Sequence, residues 1–160
     1  MSTELEDLKI LQTAEGIADA VWKRVLQWDE FAKDVVGKQL ARAADSIGAN
    51  IAESYGRFNY GEKLQFLYYS RGSLFETKYW LNRALIRELM QSEDVKNYAV
   101  RLSEVARQLN SFASSLKSQR TNIKTQSKSV REPAMEYASD TPLEDVISLF
   151  AENELAWLES

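Results

Sequence analysis

Chemistry in this chain has few carriers. With no histidine and no cysteine in 160 residues, it has no imidazole base or ligand, no thiolate nucleophile and no disulfide. That removes the ordinary zinc sites, the usual serine and cysteine triads and the Glu-x-x-His pairs of di-iron bundles. Carboxylate, lysine, tyrosine and hydroxyl chemistry remains. Glu53 and Glu76 stand on two adjacent helical segments, and if they approached each other they would suit a metal or an acid–base pair. Arg42, Arg57 and Arg71 share that stretch, however, and a guanidinium beside a carboxylate keeps it charged. An ion-paired structural seam fits better than a general acid, so no catalytic, cofactor-binding or metal residue is assigned. Loss of Glu53 or Arg71 is expected to damage folding or assembly.

These residues need a scaffold, and residues 39–76 supply its centre. Leu40, Ala43, Ala44, Ile47 and Ile51 recur at three and four residues, the apolar face of an amphipathic helix. Arg42, Ser46, Asn50, Glu53 and Arg57 recur beside it, a polar stripe expected to meet Arg71, Ser73 and Glu76 on the next helix. Between the two, Gly56 suits a left-handed helix end, and Asn59 with Glu62 reads as a capping box. The pair should fold back as an antiparallel hairpin. The second helix of that pair, about Tyr60 to Met90, is apolar on two sides. Leu64, Leu67, Leu74 and Leu85 mark one; Phe66, Tyr69, Trp80 and Ala84 mark another and form a candidate subunit interface, because an exposed aromatic row is otherwise a liability.

Here the residues carry a resemblance. The run RAADSIGANIAES from Arg42 to Ser54, Arg57, Phe66-Leu67, Ser70-Arg71-Gly72-Ser73-Leu74 and Glu76 resemble the four-helix-bundle family of proteins encoded by intervening sequences within bacterial large-subunit ribosomal RNA genes. That family is similar in turn to the accessory variability determinant of diversity-generating retroelements, an accessory protein that works beside a reverse transcriptase. The likeness is specific in the hairpin, looser over about residues 8–118 and absent beyond about residue 120. It implies an all-α fold, an antiparallel up-down four-helix bundle, assembled as a ring-like homopentamer without established enzymatic activity. Two departures stand out: Ser54 occupies a place where the family usually has glycine, and the long acidic C-terminus lies outside the shared pattern.

The remaining segments fit that architecture. Leu8, Leu11, Ala14, Ile17, Val21 and Val25 keep helical spacing after a Ser2-Thr3 cap, with Trp22 and Trp28 expected in the core or at a helix end. Asp29 and Asp34 are alternative caps for the next helix, and Gly37 and Gly48 allow close helix approach. Val95, Leu102, Val105, Leu109 and Leu116 give the cleanest repeat in the chain, a fourth helix behind a Ser92 cap. Residues 1–120 thus form the bundle, 121–140 a flexible basic-to-acidic linker and 141–160 an acidic amphipathic C-terminal helix. No apolar run approaches the roughly 20 residues that cross a bilayer, and the acidic N-terminus does not resemble a secretory signal, so a cytoplasmic location is expected.

Charge divides the chain. Of its 24 acids, 8 fall in the last 29 residues, where there is no base; all 20 lysines and arginines precede them. Arg107, Lys117, Arg120, Lys124, Lys128 and Arg131 lie in an acid-free stretch, a candidate nucleic-acid contact that aromatic residues do not reinforce. Leu143, Val146, Ile147, Phe150, Trp157 and Leu158 form the apolar side of the terminal helix, a candidate docking element for the bundle or a partner groove. The expected function is a non-enzymatic homo-oligomeric adaptor, pentameric by the resemblance, engaging a ribonucleoprotein or a reverse-transcriptase-like partner. The competing expectation is direct RNA or DNA binding through the basic surface and linker, with the acidic tail as internal competitor.

Overall fold

A computed structural model describes residues 8–126. The Ser2-Thr3 cap, Lys128, Arg131 and the whole terminal helix with its apolar residues lie outside the described residues. The described residues form a four-helix bundle. Helix α1 (Lys9–Val25) buries Ile10, Ala14, Ile17 and Val21 and ends with Lys23 and Arg24 in its last turn, where cations complement the exposed carbonyls. Asp29, not Asp34, starts the next rod: its carboxylate accepts from the Ala32 N–H at 2.9 Å. Asp34 instead pairs with Lys38 one turn on.

That second rod is continuous but not uniform. Helix α2 (Glu30–Ala32) passes through a π-helical turn at Lys33–Gly37 into α3 (Lys38–Gly56). Ala32, Val36, Gly37 and Leu40 are buried along it. Gly37 sits where the rod meets α1; a Cβ there would lie 2.6 Å from Val25 Cγ1.

Helix α3 buries the expected face, Leu40, Ala43, Ala44, Ile47 and Ile51. Gly56 does not turn left-handed, since no glycine among the described residues has a positive φ; the chain leaves the helix through an extended Arg57 at φ −83°, ψ 145°. Asn59 then caps α4 (Tyr60–Ile86), its Oδ1 accepting from the N–H groups of Gly61 and Glu62. The far end of α4 uses the left-handed conformation instead, and at a non-glycine: Glu88 has φ 59°. The Leu89 N–H reaches Ala84 O at 2.8 Å and the Glu88 N–H reaches Leu85 O at 3.1 Å, the paired closure that satisfies the last carbonyls of a helix.

Helix α5 (Ser92–Gln126) carries the expected stripe inward, with Leu102, Val105 and Leu109 essentially inaccessible. It starts at Ser92 itself, with Glu93 and Asp94 in its first turn. It continues to Gln126, past the boundary expected at residue 120, because nothing in Arg120–Gln126 breaks a helix. Its 35 residues span on the order of 50 Å, more than any neighbour. Around the bundle α1 packs on α3, α3 on α4, α4 on α5 and α5 on α1, so α1 and α4 are diagonal. The core is filled by Ile17, Ile47, Ile51, Leu67, Leu74, Leu81 and their neighbours. Trp28 belongs to it, whereas Trp22, in the last turn of α1, is 57% exposed: of the two placements expected for these residues, Trp28 takes the core and Trp22 the helix end.

Candidate functional site

The hairpin of α3 and α4 is held by hydroxyls rather than by charges. Ser70, fully buried, donates to Ile47 O at 2.8 Å. Ser54, also fully buried, donates to Lys63 O at 2.7 Å. Lys63 returns the contact, its ammonium donating to Ser54 O at 3.4 Å and Tyr55 O at 3.1 Å, over the Tyr55 ring. Those are end carbonyls of α3, where the helix's own N–H donors run out; Ser54 O also accepts from the Arg57 N–H at 3.3 Å. Burial pushes the Lys63 ammonium below its ordinary pKa. Thr77, the third buried hydroxyl, bonds back to Ser73 O within its own helix.

The expected polar seam is largely an outer surface. Of its α3 members Asn50 reaches across, 3.5 Å from the Ser73 hydroxyl, while also donating to Ser46 O, and Arg57 reaches the Phe66 ring. Arg42 is exposed and Ser46 bonds to the Arg42 carbonyl. Glu53 pairs with Arg57 on the same helix. Arg71 lies 5.8 Å from the Phe75 ring centre, and exposed Glu76 accepts from the Trp80 indole at 3.4 Å. The Ser54–Lys63 and Ser70–Ile47 contacts set the hairpin register and with it keep the two carboxylates apart. They put Glu53 opposite Leu64 and Glu76 opposite Ala41, a dozen residues apart along α4, or on the order of 18 Å. Among the described residues no three Asp or Glu converge in a way that would hold a metal ion.

The aromatic residues of α4 divide. Phe66 and Tyr69 meet edge to face at 5.5 Å, with the Arg57 guanidinium 4.7 Å above Phe66. Trp80 packs partly on the core and meets Tyr79 edge to face at 5.0 Å. Ala84 is fully buried and so leaves the candidate interface; Gly72, Tyr79 and Ile86 stand on the outside of α4. The periodicity misplaced Ala84 because a helix of this length drifts relative to its neighbours. Other exposed apolar side chains carried no sequence signal: Phe58 at the hairpin tip is 99% exposed and Phe31 77%.

The basic candidates are also unequal. Arg107 is engaged by Glu104 at 2.8 Å, a contact that holds the Glu104 carboxyl below its ordinary pKa. Lys117 is exposed and Arg120 partly so, and Lys124 lies in the last turns of α5. At the other end of the bundle Arg24 and Asp94 pair between the end of α1 and the start of α5. Beneath them burial pushes the Tyr98 phenol up, although Arg24 and Arg101 pull the other way.

Two grooves lie along the α1–α3 side. One of about 290 Å³ is lined by Ala14, Ala18, Gly48, Ala49 and Ala52, with Glu15, Asp19 and Asp45 around it. The second, about 270 Å³ and mainly apolar, includes Trp22, Leu26, Gly37 and Ala41. No helix among the described residues is long and apolar enough to cross a membrane. In comparisons with known proteins, the model of a family described as 23S rRNA-intervening sequence protein matches residues 6–111, from before α1 into α5. No curated protein matches the chain.

Proposed function

Because the chain belongs to the 23S rRNA-intervening sequence protein family, we propose that it is a non-enzymatic, homo-oligomeric helical-bundle adaptor. The resemblance makes the oligomer a pentamer, and its partner a ribonucleoprotein or a reverse-transcriptase-like protein, in the cytoplasm. The observation that carries this reading is the outer surface of α4. Tyr69 and Tyr79 are about half exposed and Ile86 more so, a row that water tolerates poorly and a protein contact covers. The carboxylates considered for chemistry support it as well, since Glu53 is tied to Arg57 and Glu76 to Trp80 rather than to each other.

Native mass measurement of the full chain tests the proposal. A mass of several chains that survives dilution is expected; a single chain of 18.3 kDa at high concentration overturns it. Isolation of what co-purifies then identifies the partner class.

One feature favours a second reading, direct binding of nucleic acid. The end of α5 presents Lys117 and Arg120 in a stretch without acids. Phosphate-driven binding weakens steeply as salt rises, whereas docking through apolar side chains does not. A salt titration of RNA retention therefore separates the two readings.

A further inference from the structure

We infer that the acidic C-terminal segment, residues 141–160, docks on the outer face of α4 of its own chain and holds that face until another protein displaces it. The docking stands on its own observations; the competition rests on the homo-oligomer reading, which uses the same face.

Helix α4 is covered on most sides. Its exposed residues are Tyr69, Gly72, Glu76, Tyr79 and Ile86, and steps of three and four draw them into one line along the helix. Three of the five are large side chains with apolar surface, where an uncovered helix face is ordinarily charged. Bases border the line. Residues 57–87 hold six bases and two acids, and Arg57, Arg71 and Arg83 lie 4.7, 5.8 and 5.9 Å from the ring centres of Phe66, Phe75 and Tyr79. Guanidinium groups therefore stand beside the aromatic row.

The sign of the charge selects the occupant. Residues 132–160 hold eight acids and no base, with Leu143, Val146, Ile147, Phe150, Trp157 and Leu158 at helical spacing on one side. Such a segment matches a face that is apolar along its middle and basic at its borders. The grooves on the α1–α3 side offer no such match. One is ringed by exposed Glu15, Asp19 and Asp45, which repel it. In the other, Lys33 and Lys38 are already paired with Glu30 and Asp34.

Length and reach agree with charge. From Tyr69 to Ile86 the line runs about 25 Å, and Leu143 to Leu158 as a helix would run about 23 Å. Helices α4 and α5 are joined by a short turn between Ile86 and Ser92 and pack on each other, so they are antiparallel. Tyr69 then stands roughly level with Leu109, about 25 Å back from the end of α5 at Gln126. The intervening residues 127–140 span as much as about 46 Å when extended. The segment thus arrives at the Tyr69 end and runs along α4 towards Ile86. A helix this short is marginal alone in water, but its tether holds it near the face at an effective concentration on the order of millimolar. A weak contact therefore suffices in the single chain, and a protein that covers Tyr69 and Tyr79 has first to displace it.

Carbodiimide coupling of the full chain along a dilution series tests the docking, because it joins a carboxylate to a lysine amine only where the two meet. An equal mixture of isotope-labelled and unlabelled chain separates links within one copy from links between copies. Links from the carboxylates of residues 144–159 to Lys78 of the same copy are expected, rising on dilution. Phe150→Glu and Tyr79→Glu, with helical content unchanged by circular dichroism, are each expected to lose them several-fold. Links only to other lysines, such as Lys117 and Lys124 of α5, links only between copies, or no links at any dilution overturn the inference. Native mass along the same series reads the competition: Phe150→Glu is expected to assemble at a several-fold lower concentration than the wild type. Assembly unchanged or weakened by Phe150→Glu overturns the competition and leaves homo-oligomerisation in place. A wild type and a Phe150→Glu variant that are both single at high concentration overturn the homo-oligomer reading, and with it the competition, while the link to Lys78 alone upholds the docking.

Discussion

Ser54 and Lys63 hold each other across the turn between α3 and α4: the Ser54 hydroxyl donates to the Lys63 carbonyl at 2.7 Å, and the Lys63 ammonium donates to the Ser54 carbonyl at 3.4 Å. The serine stands where the resembling family usually has glycine, and here its hydroxyl ties the end of one helix to the first turns of the next. Ser54→Ala is expected to cost about 1 kcal/mol, the net worth of a buried neutral hydrogen bond. Urea denaturation, with the slope unchanged, measures it.

Lys63 gives the same contact a pH dependence. Its pKa is depressed in the folded protein by burial, so between the depressed value and 10.5 the unfolded chain binds more protons than the folded one. Stability from this group therefore rises with pH across that window. Tyr98, raised by burial, acts in the opposite sense above pH 10. Comparison with Lys63→Met isolates the lysine: the upward trend in urea midpoint from pH 8 towards 10 is expected to be smaller in the variant.

Glu88 closes α4 in a left-handed conformation, φ 59°, that costs an L-residue with a side chain about 1 kcal/mol or more. Glu88→Gly is expected to raise stability by about 1 kcal/mol, and thermal unfolding reads it directly. Unchanged or lower stability would mean that the side chain compensates for its backbone.

Two glycines should respond with opposite signs. At Gly37 a Cβ would lie 2.6 Å from Val25 Cγ1, and Gly37→Ala is expected to cost about 1–3 kcal/mol, less when Val25→Ala is combined with it. At Gly72 the space is open, and Gly72→Ala is expected to add roughly 0.5–1 kcal/mol through helix propensity. The stability of the dissociated chain is the quantity to compare.

Glu53 pairs with Arg57 one turn away, and both side chains are 40% or more exposed. Glu53→Ala is therefore expected to cost the fold no more than about 0.5 kcal/mol, in contrast to what a buried seam would lose. A drop of several kcal/mol would restore the seam.

Much of the bundle is legible in residue order because periodicity reports a face. The stripes of Leu40, Ala44, Ile47 and Ile51 and of Leu102, Val105 and Leu109 end buried as their spacing predicts, and Asn59 caps as its type predicts. The absence of histidine and cysteine narrows the chemistry without any structure, since composition cannot be altered by folding. The helix end at Glu88 had no such signal, because its closure is made by backbone groups and lacks the glycine that usually marks it.

Which faces meet was decided only in three dimensions. A polar residue beside an apolar stripe looks alike in sequence whether it faces a neighbour or water, so Asn50 reaches Ser73 while Arg42 does not leave the surface. Register between antiparallel helices is set by long-range contacts such as Ser70 with Ile47, and it separates Glu53 from Glu76. Likewise Trp22 and Trp28, six residues apart near one helix end, divide between solvent and core. The physical reason is common to all three cases: helical spacing fixes the direction of a side chain about its own axis, and only packing of a second helix determines what lies in that direction.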